Sequence, residues 1–297
     1  MLGIKVKKQN GSMVKKYLII GAGKLGTSLY RLLSETFPGH VLLYGRREPM
    51  RFKSSYLIDE DYTNYLAPEL IANIDVVFLT VPDDSIREAA RIIHLYPLTG
   101  KKVFHTSGAR DSSELEILKL RGASIGSLHP MQSFAKKFSS PVMWQNIVCS
   151  FEGDDTCYVI AEKLCEKITA RLMRVSPEQK TAIHIAGVIT ANFTIGLLNF
   201  AENLLISAGL TDFPKNEILF PLLEGVLTNY KKAPSDEILT GPIKRGDMNV
   251  LREHINYLQE HKIDTSIYYQ LSRMLLDNPN FGIKNHERLK TLFEKFK

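Results

Sequence analysis

The hexapeptide Gly21-Ala22-Gly23-Lys24-Leu25-Gly26 constrains this chain more than any other segment. It follows a short apolar run over residues 14–20 and leads into residues 24–36. There Leu25, Leu29, Leu32 and Leu33 recur at helical spacing until Pro38 and Gly39 stop the pattern. A glycine-rich turn between a buried strand and a helix has a specific use. Gly21 permits the tight turn, Gly23 lets a phosphate approach the backbone, and Gly26 lets the helix pack closely on the strand. An anion placed there rests on free amides at the helix N-terminus and is favoured by the helix dipole. The six residues Gly21, Ala22, Gly23, Lys24, Leu25 and Gly26 are therefore candidates for binding the pyrophosphate of a dinucleotide.

The pattern downstream supports that reading. Residues 40–44 form a second candidate strand, and residues 74–81 (IDVVFLTV) form the strongest one, followed by a helix over 83–95. Further strands are expected at 102–106, 124–129 and 146–150. Strands alternating with helices predict an α/β fold with a parallel, doubly wound sheet of the Rossmann type. The texture then changes. From Pro177 onward the chain carries helical patterns over 177–209, 213–230, 249–260 and 266–276, with a turn-rich charged loop at 240–247 and no convincing strand. A chain of 297 residues suits two domains. The expected organisation is a disordered extension at 1–12, a nucleotide-binding domain at 13–175, and a helical substrate and dimerisation domain at 176–297, with the boundary near 174–177.

Composition narrows the class further. With 44% hydrophobic and 24% charged residues, the chain has the makeup of a protein with a real core. Its net charge of +6 is scattered along the sequence and shows no basic-aromatic stripe, which favours small anionic ligands over nucleic acid. The three cysteines, Cys149, Cys157 and Cys165, make no metal-ligand spacing and no disulfide framework, so no metal is expected. The eight-residue interval between the last two fits one face of a helix. The polar N-terminus has no apolar segment of the secretory kind, and the most apolar stretch, 183–198, carries His184 and Asn192 with Asn199 directly after it. A cytoplasmic protein without a membrane span is the expectation.

The end of the second strand chooses the cofactor. Dinucleotide enzymes specific for NAD place a carboxylate there, whereas this chain reads Tyr44-Gly45-Arg46-Arg47, with Glu48 the first acid. Two guanidinium forks suit a 2′-phosphate, so NADP (NADPH) is the expected cofactor, with Arg46 the stronger candidate of the two. Val81 and Pro82 end the strongest strand and are expected to flank the cofactor, and Asp83 or Asp84 to cap the following helix. Ser107, in Thr106-Ser107-Gly108, is expected beside the nicotinamide ribose.

Three segments offer groups for moving a proton. His129, in Leu128-His129-Pro130-Met131, ends a strand and is a candidate proton donor or acceptor; the competing reading is a histidine bonded into the turn before proline. On the long helix, His184 and Asn192 lie eight residues apart on one face, either lining a cleft or bonded within a helix interface. Lys180, one turn earlier, is the alternative proton donor. In Thr240-Gly241-Pro242-Ile243-Lys244-Arg245-Gly246-Asp247, Arg245 is a candidate ligand for a substrate carboxylate. Asp247 either orients Arg245 or caps the next helix.

In order, GAGKLG, VPDD, SLHPMQSF, IHIAGVITANF and GPIKRGD resemble a Rossmann-like oxidoreductase family whose C-terminal half is a domain of unknown function (number 2520), similar to pyrroline-5-carboxylate reductase and to deazaflavin-dependent NADP oxidoreductases. The resemblance runs over nearly the whole chain from Val14 and implies a homodimer formed through the helical domain. It also implies that His129, His184, Asn192, Arg245 and Asp247 face a cleft between the domains. The glycine- and threonine-rich signature of true pyrroline-5-carboxylate reductases is missing; GPIKRGD stands instead. The lysine-plus-asparagine spacing of 3-hydroxyacid dehydrogenases is missing too, since Val188 stands four before Asn192. The expected activity is hydride transfer to or from a small carboxylate-bearing carbonyl or imine. The competing function is a non-catalytic NADP sensor or partner-binding protein.

Overall fold

A computed structural model describes residues 16–37, 40–48, 54–212, 214–232 and 234–294. The expected extension at 1–12, the strand start at Val14, the stop signals Pro38 and Gly39, and the helix start at Phe213 lie outside the described residues. The chain divides into two compact units, one ending at Phe193 and the other beginning at Thr194.

In the first unit the elements run β1 (Tyr17–Ile20), α1 (Lys24–Thr36), β2 (Val41–Tyr44), β3 (Tyr62–Thr63), α2 (Pro68–Ala72), β4 (Val76–Leu79) and α3 (Ile86–Ile93). They continue with β5 (Lys102–His105), β6 (Ser124–Pro130), β7 (Val148–Gly153), α4 (Asp155–Lys167), β8 (Arg171–Arg174) and α5 (Pro177–Gly187). The strands form one sheet in the order β3-β2-β1-β4-β5-β6-β7-β8. From β3 to β6 every pairing is parallel, which is the doubly wound Rossmann arrangement.

Both faces are covered, which explains why the strands read as continuous apolar runs. Because side chains alternate along a strand, Ile19, Val76, Phe78 and Phe104 pack with Leu29, Tyr30 and Leu33 of α1 and Ala161 and Leu164 of α4. Leu18, Val77, Leu79 and Val103 pack on the other face with Ile86, Ala90 and Ile93 of α3. Cys157 and Cys165 share the buried side of α4, and all three cysteines are free thiols.

Four departures from the sequence pattern have physical reasons. First, β7 pairs antiparallel with β6, because the connection over 131–147 holds only a single 3-10 turn, Pro141–Trp144, and no crossover helix. Second, β3 and β8 carry no apolar run: β3 is two residues long, and β8 is an edge strand whose Arg171 and Arg174 are exposed. Third, the helix from Pro177 is not uniform; Val188–Phe193 forms a wide π-turn between α5 and α6 (Thr194–Ser207). Fourth, the compact units divide later than residues 174–177, because α5 is tied to the sheet by its buried Lys180.

The second unit continues from α6 through α7 (Lys215–Lys232), α8 (Ser235–Ile238), α9 (Gly241–Arg245), α10 (Met248–Glu260), α11 (Ser266–Leu276) and α12 (His286–Glu294). The expected loop at 240–247 is thus the short helix α9, closed by Gly246 at φ 70°. Leu251, Ile255, Tyr269, Leu276, Leu289 and Phe293 form its core. By contrast α6 has no buried residue. Within the helix Pro177–Ser207 an 18-residue window reaches a mean hydropathy of 1.6, enough by length and composition alone to cross a membrane. His184, Asn192 and Asn199 interrupt its apolar run without lowering the average far enough.

The sheet core predicts its own weak point. Phe104 is fully buried, stacks on Phe78 at 5.1 Å and meets Phe151 edge-on at 6.5 Å. Phe104→Ala is expected to destabilise the first unit by about 3–5 kcal/mol in urea unfolding. An unchanged midpoint would contradict this packing.

Candidate functional site

The glycine turn is fixed by close backbone approach. At Gly26 an ideal Cβ would lie 1.9 Å from the Gly21 carbonyl oxygen, so α1 can meet the turn only without a side chain there. Gly21 takes φ 122°, and its missing Cβ would lie 2.7 Å from the Thr80 carbonyl oxygen. Thr80, which the sequence pattern did not single out, donates its hydroxyl to the Gly21 carbonyl at 2.8 Å. Gly23, by contrast, faces open space, and α1 has neither a side-chain cap nor an acid in its first turn. The first amides of the helix are therefore left for an anion.

A cleft of about 400 Å³ opens over this turn. Gly21, Ala22 and Gly23 line it together with Arg46, Arg47, Val81 and Pro82. Lys24, Leu25 and Gly26 do not: Gly26 is buried behind the turn and Leu25 packs against the core. Tyr44, Ala89 and Ile92 add apolar surface, and Tyr62 donates its hydroxyl to the Arg47 carbonyl at 3.0 Å. Lys137 is a further cation on the wall. Asp83 and Asp84 do not cap α3, whose N-cap Ser85 makes no side-chain bond; Asp84 pairs with Arg110 at 3.3 Å.

A second group of polar side chains gathers at the ends of β5 and β6. Lys180 is 1% exposed, and its ammonium donates to the Ser107 carbonyl and the Ser127 hydroxyl, both at 2.7 Å. Burial lowers its pKa to about 8 against the pull of Glu152, Asp83 and Asp111. An ammonium has three N–H donors, and these bonds use two. His129 donates Nδ1–H to the Thr106 carbonyl at 3.1 Å, which leaves Nε2 as the acceptor. Burial, with the nearby Lys180 and His184, holds its pKa below the usual value. His105 is held neutral more strongly, down to about 4, chiefly by burial.

His129 and His184 meet edge to face with centroids 6.3 Å apart. Both close on Gly108, where an ideal Cβ would lie 2.6 Å from His184 Nδ1 and 2.9 Å from His129 Nε2. Ser107 stands off the cleft wall; its hydroxyl accepts from the amides of Ala109 and Arg110 and shapes the turn. Asn192 lies exposed within the π-turn. In the second unit Arg245 pairs with Asp247, Nε and Nη2 lying 2.8 and 2.7 Å from Oδ2. Asp247 makes no side-chain cap on α10, so it orients Arg245.

The depressed pKa of Lys180 has a sign that can be checked. Below about pH 8 the ammonium is charged in both states and its burial opposes folding. Between pH 8 and the unfolded value near 10.5 the unfolded chain binds more protons, so stability rises with pH. Relative to Lys180→Met, the chain is expected to gain roughly 2–3 kcal/mol across that window in urea unfolding. A flat difference would refute the burial argument.

A search of the curated proteins finds no relative. Among solved structures, a provisionally assigned NADP oxidoreductase from Bacteroides fragilis aligns at 22% identity and TM-score 0.68, covering 89% of this chain and 98% of its own. Pyrroline carboxylate reductase from Plasmodium falciparum with NADP bound aligns at 14% and 0.56, covering 84% and 93%. A reductive aminase from Aspergillus terreus, in complex with NADPH and ethyl-5-oxohexanoate, aligns at 15% and 0.62, covering 96% and 100%. At these identities the likeness establishes the fold. Residues 147–275, from the start of β7 into α11, match the domain of unknown function DUF2520. The chain therefore carries a DUF2520 domain on a Rossmann-type fold shared with these oxidoreductases.

Proposed function

We propose that this chain is an NADP-dependent oxidoreductase acting on a small carbonyl or imine that bears a carboxylate. The observation that carries the reading is the cleft itself, which the glycine turn leading into the uncapped α1 lines together with Arg46 and Arg47. Bound NADPH would supply the hydride. The amides after Gly23 would hold the pyrophosphate, and the two guanidinium groups the 2′-phosphate. Solved structures with the same fold carry NADP or NADPH, which supports the choice.

The proton falls to the cluster around Gly108. At neutral pH Lys180 is charged and keeps one N–H beyond those given to Ser107 and Ser127, while His129 presents a neutral Nε2. Two groups whose environments set their protonation apart can serve as acid and base. Arg245, oriented by Asp247, is the proposed ligand for the substrate carboxylate. Titration with NADPH and NADH tests the cofactor half. Arg46→Ala is expected to weaken NADPH roughly tenfold or more and leave NADH unchanged. With cofactor binding intact, His129→Ala and Lys180→Met are expected to lower kcat by about 10²–10⁴ on an active carbonyl or imine. Failure of the native chain to bind NADPH would sink the reading; binding without turnover of any such substrate would favour a sensor.

We further propose a cytoplasmic homodimer through the helical unit. Ile195 on α6 and Phe220, Leu222, Val226 and Leu227 on α7 are large, apolar and exposed, more than a solvated surface tolerates. Sedimentation is expected to give a dimer without detergent, and Phe220→Asp to shift it toward monomer. Dependence on detergent for solubility would instead favour membrane association of the apolar helix.

A further inference from the structure

We propose that Lys137 is a third ligand of the 2′-phosphate, presented to Arg46 and Arg47 by a loop stapled to α1. The inference rests on the cofactor reading above and names a residue that decides its specificity.

The loop leaves β6 just after His129 and returns across the start of α1. The Phe138 amide donates to Thr27 Oγ1 at 3.0 Å, and the Ser139 amide donates to Ser28 Oγ at 3.1 Å. Arg31 Nη1 donates to the Phe138 carbonyl at 3.0 Å. Those two hydroxyls in turn donate to the carbonyls of Gly23 and Lys24, both at 2.7 Å. The loop is thus bonded to the same first turn whose amides face the anion.

Phe138 itself is buried, with Tyr30 edge-on at 6.4 Å and Tyr56 at 6.2 Å. It is held at φ 52°, a conformation that a bulky residue adopts only when its surroundings impose it. Three hydrogen bonds and a strained aromatic anchor hold the residue next to Lys137, while Lys137 is exposed and lies on the cleft wall.

The charge pattern points to what this anchoring is for. Arg46, Arg47 and Lys137 line one cleft, and burial, with the nearby charge of Arg47, disfavours the charged form of Lys137. Among the described residues that line the cleft the carboxylate is Glu88, on α3 at the opposite face of the sheet from α1. Like charges brought together repel, and a phosphate dianion between them relieves the repulsion. Two planar forks and one compact ammonium would enclose such a group from different sides. A ribose hydroxyl offers no such gain, so the lysine discriminates NADPH from NADH.

The test is calorimetric titration of the full chain and of Lys137→Met and Lys137→Arg with NADPH, NADH, adenosine 2′-monophosphate and adenosine 5′-monophosphate. Lys137→Met is expected to weaken NADPH and the 2′-monophosphate about tenfold and to leave NADH and the 5′-monophosphate unchanged. Lys137→Arg is expected to keep the preference, and matching urea midpoints would show that all three chains are folded. If the native chain prefers NADPH and Lys137→Met prefers it equally, or loses NADH in equal measure, the lysine has no such role. If the native chain shows no preference for NADPH, the cofactor reading falls and this assignment falls with it.

Discussion

The contact on which the rest depends is the approach of α1 to the glycine turn, so close at Gly26 that the Gly21 carbonyl occupies the space of a side chain. This contact fixes the angle at which the helix leaves the sheet and holds its uncapped N-terminus behind Gly23 at the cleft wall. Thr80 secures it from the neighbouring strand by bonding the same carbonyl. The cleft residues at the ends of β2 and β4 are placed relative to that joint, because the parallel register of β1 with β2 and β4 sets where each strand ends.

A second constraint acts further along the sheet. Placing an ammonium where Lys180 lies is costly unless it is hydrogen-bonded, and the partners belong to two neighbouring strands of the sheet, Ser107 just after β5 and Ser127 within β6. The bond that satisfies the lysine therefore also fastens α5 to the sheet. It brings His184 within ring contact of His129, so one buried charge serves both architecture and candidate chemistry.

The sequence made the nucleotide-binding half legible because its signals are local. The spacing of Gly21, Gly23 and Gly26, the missing acid after Tyr44, and the apolar run at β4 each need only neighbours to be read. Thr80 and Lys137 were hidden because their partners lie far away in the chain: Thr80 bonds Gly21, and the anchor beside Lys137 bonds Thr27. His129 and His184 were visible as polar groups in apolar settings, but their convergence on Gly108 is a tertiary fact. The π-turn that carries Asn192 leaves no periodic signature, and Asp247 carried two local readings that only the Arg245 pair distinguishes. The antiparallel turn of β7 was equally silent, since its cause is a helix that the connection lacks.

The stapled loop also acts as a ruler. It begins beside an imidazole at the end of β6 and reaches the cation wall eight residues later, with its far end pinned to the first turn of α1. Its length measures the separation between the chemistry of the cluster and the discrimination of the nucleotide. An insertion or deletion between Pro130 and Lys137 would alter both at once, whereas substitutions at its exposed positions, such as Ala135 and Lys136, would change neither. Variation in this segment should therefore come as exchanged side chains at constant spacing.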